Sequence, residues 1–295
     1  MNKIIVVTGP TGTGKTKLSI ELAKKLNGEI INADSTQVYK GLDIATAKVK
    51  EEEKENIKHH LFDIRDIEED YTVYDYQRDA RLKIEEIKKK NKIPILVGGT
   101  GLYIKACLYN YCFSEEKISN TYENVDTEII YHKLLLVDPN TVIHKNNRKR
   151  IIRALNYYDN TKQSISENSD KHNLLYDVVF IGLKADREIL YEKINQRVDK
   201  MIQDGLFEEA SNLYDEKIRS KAVMTPIGYK ELFPYFEGNS TKEECIEKIK
   251  QSSRRYAKKQ FTFFYNQMKI NWFNTNYNNF SETVNKVEKY IRNIH

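Results

Sequence analysis

The sequence has few cysteines and lacks the long apolar runs of a membrane protein. Its three cysteines, Cys107, Cys112 and Cys245, are odd in number and lack the spacing of metal ligands. No apolar run approaches the roughly 20 residues that a membrane-spanning helix needs. Met1 leads directly into a strand pattern, without the architecture of a signal peptide. We therefore expect a cytoplasmic protein with reduced thiols and no contact with membranes.

A strong charge imbalance is also missing. The 295 residues include 48 lysines and arginines and 43 aspartates and glutamates, which gives a formal net charge of +5. This excess is too small to prove nucleic-acid binding, so the clustering of the charges matters more than their total. With 40% hydrophobic and 31% charged residues and no internal repeat, the composition indicates a soluble globular protein.

The chain does contain a regular alternation of strand and helix patterns. Leucines spaced four residues apart after the first strand predict a helix that packs on a sheet. Residues 75–91 predict another helix, with Leu82, Ile84 and Ile87 facing inward. Apolar runs bounded by turn residues predict four strands, at 3–8, 28–35, 92–101 and 176–183. This order indicates an α/β fold with a doubly wound parallel sheet flanked by helices.

The pattern changes between the third and fourth strands. Residues 113–174 lack strand patterns and are rich in polar residues, and 146–164 predict a basic helix followed by a turn. We interpret this segment as a mainly helical insertion subdomain of a core domain formed by 1–112 and 175–295. The chain after the fourth strand is predicted to be mostly helical, with a break at 237–241.

The first strand runs into a phosphate-binding loop, in the segment VVTGPTGTGKTKLS. Gly9 is followed by four residues and then by Gly14, Lys15 and Thr16, which is the Walker A pattern of P-loop NTPases in its strand–loop–helix context. Glycines let several backbone N–H groups converge on one anion, and the helix N-terminus adds partial positive charge. The candidate diphosphate-binding residues are Gly9, Thr11, Gly12, Thr13, Gly14, Lys15 and Thr16. The loop predicts a diphosphate or triphosphate ligand, but it does not specify a nucleotide.

Polar residues follow the next two strands, where ligands bind in open α/β sheets. ADSTQVY (33–39) places Asp34, Ser35, Gln37 and Tyr39 at this edge. The third strand ends in GGTGLYI, which contains Thr100, where an ordinary P-loop NTPase has the acid of a Walker B motif.

Structural roles compete with functional ones at these positions. Asp34 could cap the element that follows its strand, and Thr100 could be the polar residue of a turn. His59 and His60 lack a further ligand at metal-binding spacing, so structural hydrogen bonding is favoured for this pair.

In their order along the chain, these motifs resemble those of the tRNA dimethylallyltransferases, also called tRNA isopentenyltransferases. The resemblance covers nearly the whole sequence. The matching segments are GPTGTGKT, DSTQVY, DIATAK, HHLFDI, GGTGLYI, VDPNTVIHKNNRKRIIRAL, QRVDKMIQDGLFEEA, IGYKEL and RRYAKKQFTF. Any one segment alone would be weak, whereas the set is highly specific.

The resemblance implies transfer of a dimethylallyl group from its diphosphate to the exocyclic amine of the adenosine 3′ of a tRNA anticodon. Lys15, together with Mg²⁺ on Thr16, would stabilise the departing pyrophosphate. Thr100 and Arg197 match family residues that contact the diphosphate. Asp34 matches the acid that binds the adenine amine and takes its proton. The catalytic residues implied are thus Asp34, Thr100 and Arg197, the cofactor is Mg²⁺, and the partners are dimethylallyl diphosphate and tRNA.

Two basic clusters indicate where RNA would bind, because RNA affinity comes first from contacts of lysine and arginine with phosphates. The cluster in the insertion contains Lys145, Arg148, Lys149, Arg150 and Arg153. The second is predicted to form one face of a C-terminal helix and contains Arg254, Arg255, Lys258 and Lys259. For the aromatics interleaved with it, Tyr256, Phe261, Phe263 and Phe264, core packing is favoured over stacking on bases. With Ser35, Gln37 and Tyr39, Lys145, Arg148, Arg150, Arg153 and the four residues of the second cluster form the predicted tRNA site.

Three other hypotheses remain at this point. A P-loop kinase of a small metabolite is disfavoured because Gly98, Gly99 and Thr100 stand where a Walker B acid would be. The same prenyl transfer to free adenine nucleotides is suggested by a short insertion and opposed by the two basic clusters. A non-catalytic RNA-binding protein is opposed by the intact site residues. We expect a monomer.

Overall fold

The computed structural model describes residues 3–111, 120–166 and 173–294. Cys112 and the predicted domain boundary beside it lie outside these residues, while Cys107 and Cys245 are buried free thiols. Contacts between residues divide the chain into two units, residues 1–107 with 176–295 and residues 108–175. No helix in the described parts of the chain is long and apolar enough to cross a membrane.

The first unit is built on one six-stranded sheet in which every pairing is parallel. The strands are β1 (Ile4–Thr8), β2 (Gly28–Asn32), β3 (His59–His60), β4 (Ile93–Val97), β5 (Val178–Lys184) and β6 (Asn271–Asn274), in the order β3-β2-β4-β1-β5-β6. Every residue of β1, β2 and β4 is buried, as the apolar runs predict for strands covered on both faces. The α/β fold class is confirmed.

Helices cover the sheet and extend the first unit. They are α1 (Lys15–Leu26), α2 (Val73–Lys89), α3 (Gly101–Leu108), α6 (Arg187–Gln203), α7 (Leu206–Asp215), α8 (Lys221–Met224), α9 (Tyr229–Phe236), α10 (Lys242–Gln267) and α11 (Phe280–Asn293). Thr72 caps α2 with a capping box. Its side chain accepts from the Asp75 N–H, and the Asp75 carboxylate accepts from the Thr72 N–H. Thr241 begins α10 in the same way with Glu244.

The second unit has a small core of its own. It contains α4 (Thr127–Val137), α5 (Arg148–Thr161) and a 3₁₀ turn at Asn120–Tyr122. Apolar side chains of the two helices, among them Leu134 and Leu155, pack into one cluster. An antiparallel bridge between Tyr109 and Leu174 joins the ends of this unit.

Three details of the fold differ from the sequence predictions. The structure has two strands, β3 and β6, that were not among the four predicted ones, and β6 interrupts a C-terminal part predicted to be mostly helical. Leu82 was predicted to face inward, but its side chain is 58% exposed. The buried positions of α2 include Ala80, Ile84 and Ile87, and at 100° per residue Leu82 lies on the opposite side of the helix.

The sheet brings the predicted motifs to one edge. The carboxyl ends of β1, β2 and β4 are neighbours, so the phosphate loop and the segments after β2 and β4 meet there. Two backbone bonds join the latter segments: the Ala33 N–H donates to the Val97 oxygen at 2.7 Å, and the Thr100 N–H to the Ala33 oxygen at 3.1 Å. Val97 and Thr100 are thus held against Ala33, the residue before Asp34.

Candidate active site

The phosphate loop depends on three glycines. Gly12 and Gly14 have φ angles of 85° and 86°, in the left-handed region where a side chain would be strained. Gly9 has a φ of 132°, and a Cβ there would come within 2.3 Å of the Leu183 carbonyl oxygen. Any larger residue would therefore push the loop away from β5.

The polar groups of the loop are held in place from inside and outside. The Thr13 hydroxyl and the Lys15 ammonium both donate to the Pro10 carbonyl oxygen, at 2.8 and 2.9 Å. From outside, the Tyr277 hydroxyl donates to the Gly12 carbonyl oxygen at 3.0 Å. The carbonyl oxygens of Pro10 and Gly12 are thus held by donors of the loop itself and of Tyr277.

A cavity of about 830 Å³ opens in front of this loop. It brings together nine of the predicted site residues: Thr11, Gly12, Gly14, Lys15, Thr16, Asp34, Ser35, Gln37 and Arg197. A neighbouring cavity of about 350 Å³ is lined by Thr100 and Tyr39, and by Ser35, which borders both cavities. Gly9 and Thr13 line neither cavity and shape the loop from within.

The charges in the larger cavity act on one another. Burial, with a smaller effect of the Arg197 charge, lowers the pKa of Lys15 to about 7, although Asp34 acts in the opposite direction. Burial also lowers the pKa of Arg197, and Asp34 again acts in the opposite direction. Two desolvated cations that face one carboxylate form a site in which an anion would be strongly stabilised.

Asp34 closes a turn with one carboxylate oxygen and also lines the larger cavity. Its Oδ1 accepts from the Thr36 N–H at 3.0 Å and from the Thr36 hydroxyl at 2.7 Å, which closes a turn after β2. A Cβ on Gly99 would lie 3.8 Å from Asp34 Oδ2, so this oxygen lies beside the turn after β4. Thr100 joins the two turns, because its Oγ1 accepts from the Ser35 N–H at 3.0 Å.

Gln37 and Tyr39 are more enclosed than a tRNA contact suggests. The Gln37 amide donates to the Thr46 carbonyl oxygen at 2.9 Å, and Tyr39 is only 6% exposed. Gln37 thereby supports the loop at 43–48, which lines the larger cavity, and the Tyr39 carbonyl oxygen accepts from Lys48 of the same loop at 2.8 Å.

Glu209 anchors the same loop and was missed by the sequence predictions. Its carboxylate accepts from the N–H groups of Asp43, Ile44 and Ala45 at 3.0 to 3.1 Å, and from the Tyr229 hydroxyl at 2.7 Å. Nothing in the sequence marks this contact, which joins residues more than 160 positions apart.

In each basic cluster the structure shows one arginine that makes structural hydrogen bonds. Arg148 donates to the Thr127 hydroxyl at 2.9 Å and to the Glu123 carbonyl oxygen at 2.7 Å, so it stabilises the second unit. Arg254 donates to Asn195 Oδ1 at 2.7 Å and ties α10 to α6. The exposed members are Lys145, Lys149, Arg150 and Arg153 in the second unit and Arg255, Lys258 and Lys259 on α10.

The aromatics near the second cluster are only partly core residues. Phe264 is fully buried, and Phe263 packs against Gly101. Tyr256 and Phe261 keep 37% and 36% of their surface exposed. The prediction of core packing is therefore wrong for Tyr256, which lines the larger cavity, and for Phe261, whose ring lies near those of Tyr265 and Trp272.

The histidine pair has the predicted structural role. His60 Nε2 hydrogen-bonds Glu29 at 2.7 Å, and His59 Nδ1 hydrogen-bonds the Ile57 carbonyl oxygen at 2.8 Å. The described residues contain no group of three His, Cys, Asp or Glu side chains arranged to hold a metal ion.

Over most of its length the chain is similar to proteins of one family. A family model described as IPP transferase matches residues 37–267. The chain belongs to this IPP transferase family. Its sequence is 49% identical to the tRNA dimethylallyltransferase of Anoxybacillus flavithermus over 298 residues, which cover 98% of this chain and 96% of that protein. It is 46% identical to the tRNA dimethylallyltransferase of Bacillus subtilis over 282 residues, covering 92% and 90% of the two chains. The resemblance predicted from the motifs is confirmed.

Solved structures of IPP transferases have the same fold. The tRNA isopentenylpyrophosphate transferase of Bacillus halodurans superimposes with a TM-score of 0.78 at 40% identity, over 99% of this chain and 96% of that one. A eukaryotic dimethylallyltransferase acting on tRNA gives a TM-score of 0.87 at 32% identity, over 99% of this chain and 80% of that one.

Proposed function

We infer that this chain is a tRNA dimethylallyltransferase, which transfers a dimethylallyl group from dimethylallyl diphosphate to the exocyclic amine of the adenosine 3′ of the anticodon. The observation that carries this proposal is the cavity in which Lys15, Arg197 and Asp34 face one another. Full-length similarity to proteins with this name supports it. The same similarity favours tRNA over a free adenine nucleotide as acceptor.

Charge stabilisation of the leaving group is the first part of the mechanism. The bond between C1 of the dimethylallyl group and the bridging oxygen breaks, and its electron pair stays on the diphosphate. The N–H groups of the phosphate loop, Lys15 and Arg197 surround the place where this charge grows. Both side chains are partly buried, so their attraction for the diphosphate is screened less than at an exposed position. Thr100, in the turn after β4, is proposed to contact the diphosphate as well.

Acceptance of the amine proton is the second part. The adenine nitrogen attacks C1 with its lone pair, forms the new carbon–nitrogen bond and loses a proton to Asp34 Oδ2. Oδ1 is already engaged with Thr36, which fixes the carboxylate plane. To reach Asp34 the base is flipped out of the anticodon stack, at a cost of a few kcal/mol.

The residues present fit a Mg²⁺ ion. Mg²⁺ commonly binds through one or two protein oxygens together with substrate phosphates, rather than in a cage of side chains. Thr16 is the second residue of α1, after Lys15, and lines the cavity. Thr16 would hold the ion against the diphosphate, and the ion would supply further charge neutralisation.

The exposed lysines and arginines of both units are the proposed tRNA contacts, with Ser35, Gln37 and Tyr39 supporting the entrance of the site. We expect the protein to act as a monomer, because one chain provides every proposed site residue. We expect it to act in the cytoplasm, where its RNA substrate is used.

Mass analysis of the product tests the function. The purified protein is incubated with dimethylallyl diphosphate, Mg²⁺ and either unmodified tRNA or adenosine monophosphate. We expect a prenylated adenosine in tRNA and none in the mononucleotide. A prenyl group on the mononucleotide alone would favour the free-nucleotide alternative. A prenyl group on neither acceptor would refute prenyl transfer.

Asp34→Asn is the matched variant for this assay, because an amide keeps the Oδ1 acceptor of the turn and removes the base. We expect turnover to fall by about 10²- to 10⁴-fold, with donor affinity nearly unchanged. A collapse of donor affinity would show that Asp34 has a different role.

A further inference from the structure

Gln260 of α10 lies between the two halves of the site. Its side chain is only 5% exposed. Oε1 accepts from the backbone N–H of Thr11 in the phosphate loop at 2.9 Å, and Nε2 donates to the carbonyl oxygen of Gly99 at 3.2 Å. One amide thus joins α10 to the turns after β1 and β4. No sequence pattern assigns a role to this residue.

The fit at Gly99 is close. A Cβ on Gly99 would come within 2.0 Å of Gln260 Nε2, so only glycine allows this approach. The contact also needs an acceptor and a donor on the same planar group, which among side chains of this length only glutamine provides. A glutamate would place an oxygen against the Gly99 carbonyl, and methionine would leave both buried backbone groups without a partner.

The two bonded groups belong to opposite sides of the proposed reaction. Thr11 lines the diphosphate end of the cavity. Gly99 precedes Thr100, whose Oγ1 accepts from the Ser35 N–H at 3.0 Å, next to Asp34. Two hydrogen bonds of Gln260 thus join the phosphate loop to Gly99, and the next residue, Thr100, is hydrogen-bonded to the segment that contains Asp34. The Tyr256 hydroxyl, one turn earlier on α10, interacts with both Gln260 and Thr100.

We propose that Gln260 is a positioning residue that fixes the separation between the diphosphate loop and the Asp34–Thr100 side of the site, an inference that rests on the proposed transferase function. An in-line displacement needs the leaving diphosphate, C1 and the attacking nitrogen at set distances. An error of about 1 Å in such an arrangement can cost about 100-fold in rate. Gln260 touches backbone on both sides and takes no proton, so it acts through alignment alone.

The test compares Gln260→Met with Gln260→Glu. Met keeps the length and removes both hydrogen bonds, while Glu keeps the acceptor for Thr11 and loses the donor to Gly99. The matched control is Gln203→Met at an exposed position of α6. We expect both Gln260 variants to lower the single-turnover rate at saturating donor and tRNA by about 10- to 100-fold. Their Kd for tRNA should stay within about twofold of the parent.

The outcomes separate alignment from packing and from failure of the proposed function. A role in packing alone predicts a normal single-turnover rate for Gln260→Met, which would overturn the proposal. A loss of tRNA affinity at an unchanged single-turnover rate would overturn it as well. If the parent protein transfers no prenyl group, the proposed function fails. In that case the proposal is still tested by inorganic pyrophosphate, whose affinity should fall for Gln260→Met and not for Gln203→Met. Thermal unfolding of each variant identifies any that does not fold, and the second Gln260 variant then decides.

Discussion

At the scale of single residues, the site contains two partly buried basic side chains, Lys15 and Arg197, whose charged states are costly without a nearby anion. Burial disfavours the charged states of Lys15 and Arg197, and the Arg197 charge disfavours that of Lys15 further. Asp34 offsets part of this cost before any substrate is present. A bound diphosphate would offset much more of it. In the free protein the pKa of Lys15 is therefore close to neutral pH, and Lys15 takes up a proton when an anion binds.

Proton uptake by Lys15 can be measured directly. Because burial and Arg197 lower its pKa to about 7, Lys15 is mostly neutral above that pH in the free protein. A bound diphosphate raises the pKa again, so binding takes up a proton, and affinity falls as pH rises from 7 to 9, by at most about tenfold per pH unit. Calorimetry of inorganic pyrophosphate binding in buffers of different ionisation enthalpy reports this uptake. Lys15→Arg stays charged and serves as the control for the titration of pyrophosphate itself. Equal proton uptake by both proteins would contradict the assignment.

At the scale of elements, α10 has two faces with different roles. Its buried side includes Ala257, Gln260 and Phe264, and from there Gln260 bonds to the turns after β1 and β4. Its exposed side presents Lys258 and Lys259 to solvent. One helix therefore links a surface suited to RNA phosphates with the alignment of the site. The sequence predicted the charged face and the packing of Phe264, but it gave no role to Gln260, because a glutamine next to two lysines is typical of a solvated position.

The exposed face of α10 is tested by the double variant Lys258→Gln/Lys259→Gln. Because each phosphate contact releases a condensed cation, we expect weaker tRNA binding and a slope of log affinity against log salt that is smaller by about 1 to 2. Pyrophosphate affinity should stay unchanged. Lys286→Gln/Lys289→Gln on the exposed side of α11 removes the same charge elsewhere and should leave the slope unaltered. Equal slopes for the two double variants would exclude α10 from the RNA interface.

At the scale of the whole molecule, local patterns determined what could be predicted. The phosphate loop and its strand are adjacent in sequence, so their glycines and Lys15 could be assigned directly. β6 could not be predicted, because Asn271–Asn274 is short and polar at its ends and becomes a strand only by pairing with β5, about 90 residues earlier. The contact of Gln260 with Thr11 spans 249 residues and has the same cause.

The sheet also contains an ion cluster around a buried carboxylate. Glu29 of β2 is 2% exposed and accepts from Lys92 at 2.8 Å, while His60 of β3 lies 2.7 Å away and Lys90 3.8 Å away. Burial alone would raise the pKa of Glu29, but the bonds with Lys92 and His60 outweigh it and lower this pKa to about 2. Burial lowers the pKa of His60, so this ring is neutral at pH 7. The edge of the sheet is therefore held by an ionised carboxylate.

This cluster makes the stability of the protein sensitive to acid. Glu29 has its ordinary pKa of 4.5 in the unfolded chain and about 2 when folded, so its ionisation contributes about 3 kcal/mol to folding above pH 5. Because the folded pKa is the lower one, this contribution is lost as pH falls, and about 2 kcal/mol has gone by pH 3. Protonation of His60 in the unfolded chain acts in the same direction below about pH 6.5. Urea unfolding of Glu29→Gln should show a lower free energy at pH 7 and a shallower decline towards pH 3, whereas Glu85→Gln at an exposed position of α2 should follow the parent. Parallel curves for Glu29→Gln and the parent would mean that Glu29 titrates alike in both states and that the cluster does not stabilise the sheet.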